Sequence, residues 1–295
     1  MLATLATLTA LALGAPQQTD TTLPVRSGAR LEVENFGGGI AVKTWSRSAV
    51  RVTASHSSRD RIEIGASDAG LHVKAEGHRG PPHVVDYEIT APAWMALNLS
   101  GVYTDITVEG AQGEITAETV HGEVKVSGGS GNVSLKSVQG AVTLEKARGR
   151  IDLYSVNEEI KASDVSGDLT AETVNGDITL RQIESSNAEA NTVNGDITYD
   201  GTIKDGGRYR FATHDGSLRV SVPEKSNVAV SVSTFNGEFN SCFPVQLTGK
   251  AKHRFNFTIG SGSARLELES FDGDIKICRP GQLNKDHDED HDEDH

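Results

Sequence analysis

The 295-residue chain contains 31 glycines, eight prolines, two cysteines and 5% aromatic residues, and its formal net charge is −13. The negative charge argues against nucleic-acid binding, because phosphate backbones are bound by basic surfaces. Frequent glycine with little proline indicates many tight turns and argues against a collagen-like chain. Residues 286–295 hold seven carboxylates and no lysine or arginine, so about half of the net charge lies in this tail.

Residues 1–15 form an uncharged run rich in leucine, alanine and threonine. The run is shorter than the roughly 20 residues of a membrane span, but it fits the apolar region of a secretory signal, with a small-residue cleavage site at 12–14. No basic residue precedes it, so either the translation start lies upstream or the run is a short apolar strand. We expect residues 1–22 to be a signal peptide with a short linker. The protein would then be exported to the periplasm, the cell surface or the medium, and it would not be an integral membrane protein.

Glycines recur at every ninth position along the middle of the chain. The anchors are Gly113, Gly122, Gly131, Gly140, Gly149, Gly167 and Gly176, with Glu158 in the one gap. The second, fourth and seventh positions after each anchor are aliphatic in 23 of 24 cases, so we expect all three positions to face inward. The alternation between the second and fourth positions predicts a short strand, and the break before the seventh predicts a corner.

A second level of repetition pairs these units. The motif Val-x-Gly recurs at Val120, Val138, Val174 and Val193, with Val156 heading a variant, so each motif follows the previous one by eighteen positions and the last by nineteen. We predict eighteen-residue coils, each with two strand-bearing sides. The fold class is therefore an all-β, single-domain β-solenoid (β-helix) over residues 23–280 with almost no helix. The regular coils span about 104–200, and longer coils flank them.

Stacked coils turn recurring residues into ladders. One hydroxyl per coil recurs at Thr119, Ser137, Ser155, Thr173 and Thr192, and we expect these residues to line a corner. The residue before each Val-x-Gly anchor predicts an amide-rich ladder, made of His121, Gln139, Asn157, Asn175 and Asn194. Carboxylates that follow the anchors would repel one another. Lys125 and Lys161 would partly compensate. Between Asp177 and Asp196 we weigh solvated carboxylates against a bound divalent cation and favour the former.

The segment Thr173 to Ile178, Thr-Val-Asn-Gly-Asp-Ile, recurs at Thr192 to Ile197. It resembles the turns of the bacterial putative-adhesin β-solenoid family, a domain of unknown function. Segments 89–92, 235–244, 259–262 and 271–275 resemble the same family, and the similarity covers about residues 28–280. The resemblance implies an exported solenoid without assigned catalytic residues. The sequence departs from the family pattern at 102–105, so we expect an altered first corner.

The two cysteines occupy the same position relative to their glycine anchors. Cys242 and Cys278 each follow a glycine anchor by five positions. Coils longer than the eighteen-residue repeat would put them on adjacent strands within disulfide range, and this is the alternative we favour. Coils that keep the eighteen-residue length would place the cysteines two coils apart and prevent the bond.

The tail places His287, His291 and His295 among carboxylates, a composition that suits zinc, nickel or copper and more loosely calcium. Such a site would bind weakly without a fold, and we expect residues 281–295 to be a disordered acidic tail. His72, His78, His83 and Asp86 cluster in the sequence, and we expect them to be surface groups rather than a metal site.

These features predict a non-catalytic scaffold or binding module of the cell envelope, adhesin-like, that presents a long regular face to a glycan or protein. We expect no catalytic or cofactor-binding residues. One alternative is a carbohydrate-active β-helix enzyme with paired carboxylates near the irregular segments 77–82, 201–207 or 244–252. Another is a periplasmic metal-binding protein that acts through its tail. Open solenoid ends would favour end-to-end association unless they are capped.

Overall fold

The computed structural model describes residues 17–251 and 253–283. All regular secondary structure in these residues is β-strand. The strands are β1 (Gln17–Pro24), β2 (Arg30–Trp45), β3 (Ala49–His56), β4 (Asp60–Ser67), β5 (Gly70–Gly77), β6 (Asp86–Pro92), β7 (Ala96–Ala111), β8 (Ile115–His121), β9 (Val124–Gly128), β10 (Ser130–Gln139), β11 (Val142–Glu145), β12 (Arg148–Tyr154), β13 (Ile160–Glu172), β14 (Ile178–Glu184), β15 (Asn187–Asn194), β16 (Ile197–Gly201), β17 (Arg208–Asp215), β18 (Leu218–Ser221), β19 (Val228–Asn236), β20 (Phe239–Ser241), β21 (Leu247–Ala251), β22 (Arg254–Ile259), β23 (Ala264–Asp272) and β24 (Ile275–Cys278). The prediction of an all-β, single-domain chain is confirmed for these residues.

Successive turns of the chain stack through parallel strands on two sides, and we call one such turn a coil. On the first side, Val133 of β10 pairs with Ile115 of β8 and with Ile151 of β12. On the second side, Val142 of β11 pairs with residues 124 and 160. In the middle of the chain each residue is therefore paired with the eighteenth position before it and after it. The offset grows to 19 between β13 and β15 and to 21 between β15 and β17.

The interior is a narrow column of valine, isoleucine, leucine and alanine from both sides. Toward the C-terminal end, where the coils lengthen, the column takes larger rings. Tyr199 and Phe211 are fully buried with ring centroids 4.8 Å apart, and Tyr209 is also buried. The Tyr199 hydroxyl donates to the Thr202 carbonyl at 2.9 Å, and burial raises the pKa of Tyr199 above its usual range. The extra residues of these coils thus accommodate aromatic side chains whose polar ends keep partners.

The valine of each Val-x-Gly motif faces outward, which corrects the expectation that every seventh position is buried. Val120 and Val138 are each 39% exposed. Strand β8 continues its alternation through the corner, so Ile115, Ala117 and Thr119 point inward and Val120 points outward. The seventh positions of the other corner behave as predicted; Val165, for example, is 1% exposed.

Buried hydroxyls form a ladder at the corner that carries the Val-x-Gly motifs, which confirms that these groups line a corner. In spatial order the ladder is Thr104, Thr119, Ser137, Ser155, Thr173, Thr192, Thr213, Ser270 and Thr234. Each hydroxyl donates to a corner carbonyl of a neighbouring coil, as Ser137 does to Gly122 at 2.9 Å and Ser155 to Gly140 at 3.3 Å. The ladder therefore satisfies backbone carbonyls where the chain turns out of the sheet.

Glycine is required where the coils approach most closely. Gly167 lies at φ +117° directly over Gly149, and a Cβ atom there would overlap the Gly149 backbone. The nine-residue glycine spacing thus reflects both left-handed backbone and contact between coils.

At the C-terminal end the order in space departs from the order in the chain. Strand β23 lies between β17 and β19, and β24 lies between β18 and β20. Strands β19 and β20 form the outermost coil, and the β21–β22 hairpin packs against β19. The last coil of the chain, formed by β23 and β24, lies between this outermost coil and the coil of β17 and β18. Cys242 and Cys278 therefore lie at the ends of adjacent strands although they are far apart in the sequence. The structure joins them in a disulfide with their Cα atoms 4.8 Å apart.

The N-terminal end is covered by antiparallel strands. The β4–β5 hairpin extends the first side from β2, and β6, β3 and β1 extend the second. Residues 17–22, expected to be linker, instead belong to β1, whose hydrogen bonds occupy the edge of β3. At 102–105 the first corner differs from later ones as expected, since β7 runs unbroken through it.

Replacing Ser155, which is fully buried, with alanine removes the donor to the Gly140 carbonyl. We expect S155A to lower the free energy of unfolding by about 1 kcal/mol, because the hydrogen bond to the part-buried Gly140 carbonyl is lost. Urea denaturation measures the loss. The matched control is S134A on the outer face of β10, where we expect a change below about 0.5 kcal/mol. Equal effects of the two substitutions would contradict the role of the ladder.

Peptide mapping without reductant should recover Cys242 and Cys278 in one cross-linked pair. Replacing both with serine should lower the free energy of unfolding by about 3–4 kcal/mol, since the bond closes a 36-residue loop. Finding two free thiols in the native, unreduced protein would show that the bond is not made.

Candidate functional site

One corner of the molecule carries an exposed row of apolar and aromatic side chains, which we call the ridge. Its members, one per coil and in register, are Phe36, Val102, Val120, Val138, Val156, Val174, Val193, His214, Phe271 and Phe235. Ten strands at about 4.8 Å spacing give a length of roughly 43 Å. Exposure is 44% at Val193 and 53% at Phe235, and Val156 and Val174 are half-buried. The ridge is thus a continuous apolar line on the surface.

Aromatic rings stack at the C-terminal end of the ridge. The ring of Phe271 lies 4.9 Å from His214 and 5.1 Å from Phe235, and Phe235 lies 4.8 Å from His253. These centroid distances follow the spacing of the strands beneath them. At the other end, Tyr103 stacks on His121 at 4.7 Å and meets Phe36 edge-on at 5.7 Å. Flat rings therefore lie at both ends of the ridge, within it or directly beside it.

A polar row runs beside the ridge, and the predicted amide ladder within it is confirmed for Asn157, Asn175 and Asn194. Asn194 donates its side-chain amide to Asn175 at 2.7 Å, and Asn175 donates to Asn157 at 3.1 Å. Asn157 in turn donates to the Val138 carbonyl at 3.4 Å. All three amides are exposed, so they present hydrogen-bonding groups at the strand spacing.

The stacked carboxylates that follow the anchors are held by backbone donors. Asp177 accepts a hydrogen bond from the backbone N–H of Asp196 at 2.8 Å. Asp196 accepts from the N–H of Ser217 at 2.8 Å and from Arg219 at 2.7 Å. These contacts offset the repulsion between neighbouring carboxylates and support the solvated carboxylates that we favoured over a bound cation.

The expected lysine compensation is also present. Lys161 lies 2.5 Å from Glu159, and Lys125 donates to Glu123. The hydrogen bond to Glu123, followed by that group's negative charge, raises the pKa of Lys125. The two lysines therefore partly neutralise this row.

A shallow depression of about 520 Å³ lies on the outer face of the first side. Two of its carboxylates are paired with cations, since Asp152 lies 3.4 Å from Arg150 and Glu189 lies 3.8 Å from Arg210. The depression has the chemistry of a polar contact surface.

The histidines that cluster in the sequence take separate partners. His83 lies 3.1 Å from the buried carboxylate of Asp60, whereas Asp86 accepts the Gly39 N–H at 2.9 Å. His72 faces two glutamates of β2. The proposed tail ligands His287, His291 and His295 lie outside the described residues.

The ridge aromatics were missed in the sequence, although a signal for them exists. A hydroxyl residue, two further residues and a glycine recur at 213–216, 234–237 and 270–273, as they do at 119–122. In this pattern His214, Phe235 and Phe271 occupy the valine position.

Residues 14–278 match the family described as Toastrack DUF4097. The chain belongs to this family. In fold, this Toastrack chain is similar to a "putative adhesin" from Parabacteroides distasonis ATCC 8503, with a TM-score of 0.50 and 10% identity over 90% of this chain and 98% of that one. The corresponding values for a "putative adhesin" from Bacteroides fragilis NCTC 9343 are 0.47, 13%, 88% and 97%.

A "putative lipid binding protein", also from Parabacteroides distasonis ATCC 8503, gives a TM-score of 0.46 and 11% identity over 90% of this chain and 97% of that one. At such identities the similarity concerns the fold alone. Among curated proteins, none matches the chain significantly. The described part of this Toastrack chain contains no helix that is long and apolar enough to cross a membrane.

Proposed function

We propose that the chain is an exported, non-catalytic β-solenoid that binds an extended glycan of the cell envelope along the ridge. The observation that carries the proposal is the row of exposed apolar and aromatic side chains that runs in register over ten coils. Monomeric proteins rarely expose a continuous apolar surface of this extent unless it binds something. The eighteen-residue coils and the resemblance to adhesin-like proteins support the same assignment.

The chemistry of the ridge favours a glycan over other extended ligands. Sugar rings present apolar C–H faces to aromatic rings and present hydroxyl groups at their rims. The stacked rings of Phe271 and Phe235 offer such faces, and the amides of Asn175 and Asn194, further along the polar row beside the ridge, offer hydrogen bonds. A net charge of −13 disfavours anionic lipid surfaces and nucleic acids.

A protein strand is a weaker candidate for this corner. Addition of a strand requires an open backbone edge. At the ridge, backbone groups bond between coils, as the Asn194 N–H does to Val174 and the Gly195 N–H to Asp215. Recognition at the ridge therefore depends on side chains.

The test is retention of the protein on purified peptidoglycan, together with its affinity for soluble chito-oligosaccharides. We expect F235A/F271A to weaken binding about tenfold or more, because each lost ring contact costs roughly 0.5–1.5 kcal/mol. The matched control is Y154A, which removes a ring that is 38% exposed on the outer face of β12, four coils from Phe271.

If F235A/F271A binds as tightly as the unaltered protein, the glycan does not bind at these two rings. The unaltered protein could instead bind neither glycan probe but capture an envelope protein, and F235A/F271A could abolish that capture. These two results together would show that the ridge binds a protein and not a glycan.

A further inference from the structure

We propose that Glu32, Glu34 and His72 form a zinc-binding site that fastens the N-terminal cap to the first coil. The site is separate from the ridge, and it does not depend on the proposed glycan binding.

Strand pairing brings the three residues together from distant parts of the sequence. Glu32 and Glu34 lie two positions apart on β2 and so share one face of the strand. His72 of β5 pairs directly with Glu32 in the parallel register. Glutamate and histidine side chains from two strands therefore converge on the outer face of the first side.

The distances between the groups suit a shared metal ion better than direct hydrogen bonds. His72 Nδ1 lies 3.8 Å from a carboxylate oxygen of Glu32, and His72 Nε2 lies 3.6 Å from one of Glu34. One ligand atom from each of the three residues lies within 4.8 Å of the others. Ligands at about 2.1 Å in a tetrahedral zinc site are roughly 3.4 Å apart, so small side-chain rotations complete the geometry.

The imidazole also carries an unsatisfied polar atom. Nε2 of His72 is shielded from solvent and has no hydrogen-bond partner, although the side chain as a whole is 40% exposed. Buried polar atoms are nearly always paired with protein, water or an ion. A metal ion held between Nε2 and the two carboxylates would supply the missing partner.

Among the described residues, no lysine or arginine forms an ion pair with either glutamate. Lys74 of β5 pairs with Glu34 in the register, but its ammonium group lies 3.3 Å from Glu63 and 3.0 Å from Glu76. Glu32 and Glu34 therefore form a negative pair that a divalent cation would neutralise.

The donor set suits zinc. Imidazole and carboxylate groups are common zinc ligands, and three of them would leave the fourth position of the ion to water. Because Glu32 and Glu34 belong to the first coil and His72 belongs to the hairpin that covers it, the ion would cross-link the two. Zinc would then stabilise the cap that covers the exposed edge of the first coil.

Zinc titration of the full chain tests the site. The reference protein carries H287A/H291A/H295A, which removes the tail imidazoles while keeping the full chain. We expect it to bind one zinc ion by calorimetry and to melt at a higher temperature with zinc. E34Q and H72A should each weaken binding about a hundredfold or more, because a ligand to the metal is lost. Cobalt in place of zinc should give visible absorption bands that H72A removes.

The matched control is H78A, which removes an exposed imidazole that lies outside the ridge and should leave zinc binding at the level of the reference. E34Q keeps the shape of the side chain, so a loss of binding in a variant with unchanged circular dichroism cannot be assigned to misfolding. The proposal is overturned if the reference protein binds no zinc, or if E34Q and H72A both bind it as the reference does.

Discussion

Hydrogen bonding between coils, in a register that repeats at every eighteenth position in the middle of the chain, is the constraint on which the rest of the structure depends. It places each residue beside its equivalent in the next coil, as in the pairing of Val133 with Ile151. A preference at one position of the repeat therefore becomes a line of like side chains. Inward lines form a dry aliphatic column, and outward lines form the ridge, the amide ladder and the carboxylate row.

The corners show how this constraint is met where the sheet hydrogen bonding stops. A buried hydroxyl at the end of a strand, such as Ser155, donates to the corner carbonyl of its neighbour. Glycine at positions such as Gly167 lets two backbones approach without the overlap that a Cβ atom would cause. Because hydroxyl and glycine together fix the path of the chain, the two residues between them face outward. The ridge is thus a by-product of corner geometry that is available for binding.

The ends of the molecule follow different rules from its middle. Antiparallel strands cover the first coil. At the other end, the last coil of the chain lies inside the coil that precedes it in the sequence. The pairing that forms the cap also carries His72 to Glu32, and the inserted coil carries Cys278 to Cys242. Both contacts join positions that are distant in the sequence, so both depend on the arrangement of the ends.

The all-β class, the eighteen-residue register, the hydroxyl corner and the amide ladder could be predicted from the sequence, because a strict period converts spacing directly into contact between coils. Val120 and Val138 were wrongly predicted to face inward, because an apolar residue at a corner can point either way. Only the continued alternation of the strand turns it outward. The order of the last coils, the strand at 17–24 and the meeting of Glu32, Glu34 and His72 emerged only from the folded structure. These features depend on strand pairs that lie outside the repeat, where spacing along the chain no longer fixes which backbones share hydrogen bonds.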